Sequence, residues 1–262
     1  MLFKQLIMKT LRKLILIVVC FAALSCQDSV SPSIVSRGGA ETGGGTTGQG
    51  GSLARFIIAK GHLYVVSSDG IYTYSLTDPS NPRFLNKIKI WATVETLYSM
   101  NDFLFLGTQS GVEIFSITTP NKPSHISRYE HITSCDPVVA RGNYAFSTLR
   151  TGGNCNRGEN RLDIIDISNI ENPFMVKSIN LENPKGLGIS GDYLFVCDNS
   201  KIKTFDISNE RNPVAITFIE QDGCFDVIAI NQNLMVVGTD GVTQYSINAD
   251  GSLTEISSIN LE

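Results

Sequence analysis

One stretch of this sequence recurs five times, and the recurrence leaves few architectures open. At its clearest it reads LDIIDISNIENP, residues Leu162 to Pro173: an apolar run, a polar residue, Ile, then a turn-rich tail ending in Pro. The other copies are IYTYSLTDPSNP (Ile71 to Pro82), VEIFSITTPNKP (Val112 to Pro123), IKTFDISNERNP (Ile202 to Pro213) and VTQYSINADGSL (Val242 to Leu253). A second signature precedes each copy: GHLYVV from Gly61, NDFLFL from Asn101, GNYAFS from Gly142, GDYLFV from Gly191 and NQNLMV from Asn231. Successive starts lie 40, 41, 49 and 40 residues apart. A period of this length marks a repeat architecture, so the units are read before the segments inside them.

Each unit divides into four short apolar runs separated by turn residues. In the fourth unit these are GLGIS, YLFVC, IKTFDI and VAITFI. Their length and their Val, Ile, Phe and Tyr content predict strands. Several are apolar at nearly every position, so both faces should be covered. Asp69-Gly70 and Asp240-Gly241 predict hairpin turns between the second and third strands. Asn172-Pro173 and Asn212-Pro213 predict a turn into the fourth, where Pro suits a first-residue or edge position. A parallel β-helix would have shorter rungs and none of this hairpin chemistry. The expectation is all-β: a five-bladed β-propeller over residues 53–262, with four antiparallel strands per blade.

The pair GNYAFS and LDIIDISNIENP resembles the LVIVD repeat, a bacterial propeller repeat of exported and surface proteins. The resemblance spans residues 53–262 and is strongest in the third and fourth units. The first unit begins with its innermost strand near Ala54, and the last ends with its outermost strand near Leu261. Each blade is then one continuous stretch, and the ring has to close by packing blade 1 on blade 5 without a shared strand.

The N-terminus bears on location. Lys4, Lys9, Arg12 and Lys13 precede the apolar run Leu14 to Leu24, which is too short to span a bilayer; residues 1–25 read as an export signal. Ser25-Cys26 resembles the lipid-modified boundary of a bacterial lipoprotein. That resemblance implies Cys26 as lipid attachment point and membrane anchor. With Gln27 in place of the Asp linked to inner-membrane retention, it implies the outer membrane, on its periplasmic or exposed side. Ordinary cleavage at the Ala-x-Ser pattern would leave the same Cys26 unmodified. Residues 26–52 are Gly-, Ser- and Thr-rich and bury too little to order themselves, so they read as a tether with a span of about 28 Å. Ile34 and Val35 are candidates for an extra edge strand. With the four signal lysines and arginines removed, 17 basic residues face 25 acidic ones, a balance that argues against nucleic-acid binding.

No nucleophile motif or metal-ligand spacing appears, and neither a metal nor a cofactor is expected. The Asp/Ser column Ser75, Ser116, Asp166, Asp206 and Ser246 reads as turn caps, and Asp69, Asp198 and Asp240 as hairpin residues. His62, His125 and His131 read as exposed or structural. Four mature cysteines in an exported chain read as disulfide candidates: Cys135 with Cys155, and Cys197 with Cys224. All four fall at the end of the strands that carries the inter-blade crossovers. That end also holds the STLRTGGNCNRGEN insertion in the third unit and the Trp91 crossover. Arg55, Glu95, Asp136, Lys185 and Phe225 share one column at the innermost-strand starts, and their variation suggests either plain solvent exposure or a shaped, asymmetric site. Trp91 reads either as a core residue or as a stacking platform for a sugar or protein side chain. If the column is a site, Trp91 and Arg150 are the expected contact residues, with Glu95, Asp136 and Lys185 setting polarity at the channel mouth and Phe225 on the same face. The expected function is a protein- or glycan-binding module for adhesion or scaffolding. The alternatives are a propeller enzyme acting on envelope or environmental glycans, and a structural partner in a larger envelope complex.

Overall fold

The computed structural model describes residues 53–131, 137–151 and 159–261. They form five four-stranded antiparallel sheets, each a meander. Blade 1 comprises β1 (Phe56–Ala59), β2 (His62–Ser67), β3 (Gly70–Ser75) and β4 (Arg83–Ile88). Blade 2 comprises β5 (Val94–Met100), β6 (Phe103–Thr108), β7 (Gly111–Ser116) and β8 (Ser124–Glu130). Blade 3 comprises β9 (Val138–Arg141), β10 (Tyr144–Leu149), β11 (Arg161–Asp166) and β12 (Phe174–Asn180). Blade 4 comprises β13 (Pro184–Ser190), β14 (Tyr193–Asp198), β15 (Lys201–Asp206) and β16 (Val214–Glu220). Blade 5 comprises β17 (Cys224–Ile230), β18 (Asn233–Gly238), β19 (Gly241–Ile247) and β20 (Leu253–Asn260). The architecture is the five-bladed propeller the repeat predicts, with each blade a continuous stretch.

The repeat encodes local devices as well as strands. In every blade the register slips once between third and fourth strands, at Thr73/Tyr74, Ile114/Phe115, Ile164/Ile165, Thr204/Phe205 and Gln244/Tyr245. A bulge adds one residue to one strand and increases its twist. The Asp/Ser column caps the following turn: the amides of Thr77, Thr118, Ser168 and Ser208 donate to Ser75, Ser116, Asp166 and Asp206. In blade 5 the Ser246 hydroxyl instead donates to the Thr254 carbonyl. The hairpin glycines are required for space. A Cβ on Gly111, at φ +150°, would lie 1.9 Å from the Tyr129 carbonyl oxygen.

The core lies between blades. One hydrophobic cluster fills each of the seams 1–2, 2–3, 3–4 and 4–5. Each is built on a ring from the earlier blade: Tyr64, Phe105, Phe146 and Phe195 form one column, and all four are fully buried. The fifth member of that column is Met235, half-buried. No cluster among the described residues joins blade 5 to blade 1. On the blade 1 side Leu63 and Val65 are half-buried and Phe56 is 60% exposed; on the blade 5 side Ile259 is 69% exposed. The counterparts of Leu63 and Val65 in blades 2, 4 and 5 (Leu104, Leu106, Leu194, Val196, Leu234, Val236) are all buried. The Leu53 amide donates to the Asp226 carboxylate across this seam at 3.1 Å. Among the described residues this seam therefore shows a polar tie and no buried cluster, and its column member is Met235 where the other four seams carry an aromatic ring.

Candidate functional site

The crossover from blade 1 to blade 2 leaves one large side chain in solvent. Trp91, three residues beyond β4, is 86% exposed, so it is not the core residue that one reading of the sequence made it. The Lys89 ammonium lies 3.8 Å from the indole centroid, a cation–π contact, and Lys89 has no ion-pair partner among the described residues. Both residues rim a cleft of about 660 Å³ between the outer strands of blades 1 and 2, within the size range of small-ligand sites. Ile88, Ile90 and Phe115 give it apolar surface. Gln109, Ser110, Glu113, His125 and Arg128 give it a polar wall.

The wall is organised by Glu113, whose side chain is only 11% exposed. Its Oε2 lies 2.8 Å from His125 Nε2, and its Oε1 lies 3.2 Å from Arg128 Nε. Arg128 also donates to the Ser110 hydroxyl and reaches Glu130 at 3.6 Å. Gln109 donates to Glu95 at 3.5 Å, which links the start of β5 to the same wall. Residues 125 and 128 differ by an odd number, so a regular strand would point them to opposite faces. The bulge between β7 and β8 adds one residue between them. Arg128 therefore sits opposite Glu113 and His125 opposite Phe115, and both turn toward the cleft. Sequence spacing gave no metal or catalytic pairing for His125; the one-residue slip is what brings Arg128 onto the face that Glu113 and His125 share. The available signal is the column Tyr72, Glu113, Asp163, Lys203, Thr243, which changes charge from blade to blade beside an always apolar neighbour. Asp163, the blade 3 member, is fully buried with Arg161 Nε at 2.9 Å; Lys203, the blade 4 member, pairs with Asp198 at 2.6 Å.

The other named residues gather separately. Arg150, Lys185 and Phe225 come from blades 3, 4 and 5. The Lys185 ammonium lies 4.8 Å from the Phe225 ring centroid. Burial, with the Arg150 charge second, holds the Lys185 amine below the ordinary lysine range. The residues expected on one face thus form two groups: Trp91 with Glu95 at the blade 1–2 cleft, and Arg150 with Lys185 and Phe225. Asp136, Cys135 and Cys155 lie outside the described residues, as do Cys26, Ile34 and Val35.

Cys197 and Cys224 form a disulfide, with Cα atoms 5.6 Å apart, tying the end of β14 to the start of β17 across the blade 4–5 seam. Asp69 is engaged by Lys87 and by the Tyr72 hydroxyl, and its carboxyl is held below the usual carboxylate range first by the Lys87 hydrogen bond, then by Tyr72. Asp198 accepts from the amides of Glu182 at 2.9 Å and Asn183 at 2.7 Å. Among the described residues no three His, Cys, Asp or Glu side chains converge.

Comparison with known proteins fits this fold. The sequence profile of the LVIVD repeat matches residues 157–180 and 184–218, which span the third-to-fourth-blade region of strongest self-similarity. No curated protein matches the chain significantly. Among solved structures, a Lactobacillus plantarum protein superposes with TM-score 0.62 at 16% identity, over 78% of this chain and 69% of its own. The periplasmic gluconolactonase PpgL of Pseudomonas aeruginosa gives 0.59 at 12% identity, over 79% and 68%. BamB from Moraxella catarrhalis gives 0.54 at 12% identity, over 71% of this chain and 55% of its own. At these identities the likeness is one of fold.

Proposed function

We propose that this chain is a ligand-binding propeller of the bacterial cell envelope, anchored through Cys26 and carrying its ligand in the cleft beneath Trp91. The observation that carries this reading is an indole 86% exposed at the rim of a cleft with an apolar floor and a polar wall. Holding so large an apolar ring in water is unfavourable unless something covers it, and Trp is prominent among residues that dominate binding energy. The export-type N-terminus and the LVIVD repeats support an envelope location at the outer membrane. The ligand is a protein or a glycan of that compartment. Intact mass of membrane-extracted protein tests the anchor: diacylglycerol on Cys26 supports it, and an unmodified Cys26 in the soluble fraction removes it. Capture from intact cells with the wild-type domain and with Trp91→Ala tests the site. A protein or glycan retained only by the wild type supports it.

A second reading, an enzyme acting on glycans, has one observation in its favour. Glu113 and His125 form an acid–imidazole pair inside the cleft, with Arg128 bracing the carboxylate. The fold shared with a protein described as a periplasmic gluconolactonase supports this reading. Turnover of a sugar or lactone that is lost in Glu113→Gln while binding persists would establish this reading over the first.

A further inference from the structure

We infer that the ligand of the Trp91 cleft is a carboxylate-bearing sugar, a pyranose ring carrying an acid group; this rests on the binding function proposed above. A pyranose has an apolar face of C–H bonds and an equator of hydroxyls. Trp91 supplies a flat platform for the first, and Gln109, Ser110 and His125 supply donors and acceptors for the second. The charge pattern then selects among sugars. Glu113 is the carboxylate lining the cleft, and both its oxygens are already engaged, by His125 and Arg128. Arg128 in turn is committed to Glu113, Ser110 and Glu130. Lys89 differs: its ammonium has the indole face as its contact and no carboxylate among the described residues. Among the residues that line the cleft, the charge left without an opposite partner is therefore the Lys89 ammonium on the stacking platform itself; the Glu95 carboxylate, held by Gln109, is not one of the lining residues. A sugar ring on Trp91 would bring its acid group to the Lys89 ammonium, exchanging a cation–π contact for a charge-assisted hydrogen bond. A neutral sugar would displace Lys89 without that return.

Calorimetric titration of the whole domain with tri-galacturonate and with its methyl ester tests this, since the pair shares rings and differs in charge. The acid should bind, with the ester about fivefold weaker, as expected for one exposed ion pair. Lys89→Ala should weaken the acid by the same factor and leave the ester no weaker, since the cation it had to displace is gone; Trp91→Ala should weaken both at least tenfold. Equal binding of acid and ester, or binding indifferent to Lys89, overturns the charge assignment. No binding of either, while wild-type but not Trp91→Ala domain captures a cell-envelope ligand, overturns the sugar and keeps the binding site. No binding of either together with no Trp91-dependent capture overturns both.

Discussion

Removing the Cys197–Cys224 bridge should destabilise the propeller through the unfolded chain more than through the folded one. The two cysteines are 27 residues apart, and their bond joins blade 4 to blade 5 across a seam. In the chain-entropy description a closed loop of this size restricts the denatured ensemble by about 3.5 kcal/mol at 25 °C. For a domain of about 200 residues each kcal/mol moves the midpoint by about 2–4 °C, so Cys197→Ala/Cys224→Ala should melt about 7–14 °C below the oxidised protein. Both sulfurs are fully buried, so reductant should act on the native protein only as fast as it opens. Urea unfolding gives an independent check. The variant's denatured state lacks the cross-link and exposes more surface, so its slope with denaturant should steepen while its midpoint falls. The wild type, reduced while unfolded and refolded in reductant, should match the double variant. A double variant that melts within about 2 °C of the oxidised protein, with an unchanged slope, would refute the reasoning.

Two other outcomes follow from the seams and the caps. Phe146→Ala empties a fully buried ring position and should cost about 3–5 kcal/mol, whereas Met235→Ala in the same column should cost less than about 1.5 kcal/mol, since that side chain is half-exposed and joins no buried cluster among the described residues; chemical denaturation of the pair decides. Hydrogen bonds from Ser168 and Ser208 depress the carboxyls of Asp166 and Asp206. The stability they contribute is present above the ordinary carboxylate pKa of about 4 and is lost as pH falls through the lower folded values. Asp166→Ser/Asp206→Ser, which installs the residue blades 1 and 2 already carry, should therefore lose less stability than wild type between pH 5 and pH 2 in thermal melts.

The architecture was legible because it is written five times. A strand pattern such as YLFVC is ambiguous alone, but at a fixed offset from IKTFDI in every unit it can only be one blade strand among equivalents. The turn-capping role of Asp166 and Asp206 was legible for the same reason, and so was the Cys197–Cys224 bond, both positions falling at one end of the strands. The open seam was not. Met235, Leu63 and Val65 are ordinary apolar residues, and their half-exposure depends on the size of the facing side chains. The cleft was half legible: Trp91 stands out as the single tryptophan, but Glu113, His125 and Arg128 meet only because a bulge resets the strand's parity.

The account rests most on the claim that this propeller binds its ligand at the Trp91 cleft. The measurement that tests it most directly is quantitative recovery of cell-envelope material on immobilised domain, comparing wild type, Trp91→Ala and Asp102→Ala. Asp102 lies on the opposite side of the strands, in the β5–β6 turn, where it pairs with Lys60. The account predicts one ligand retained by wild type and Asp102→Ala and lost from Trp91→Ala, with Trp91→Ala melting as wild type does. A ligand retained by Trp91→Ala and lost from Asp102→Ala would contradict it.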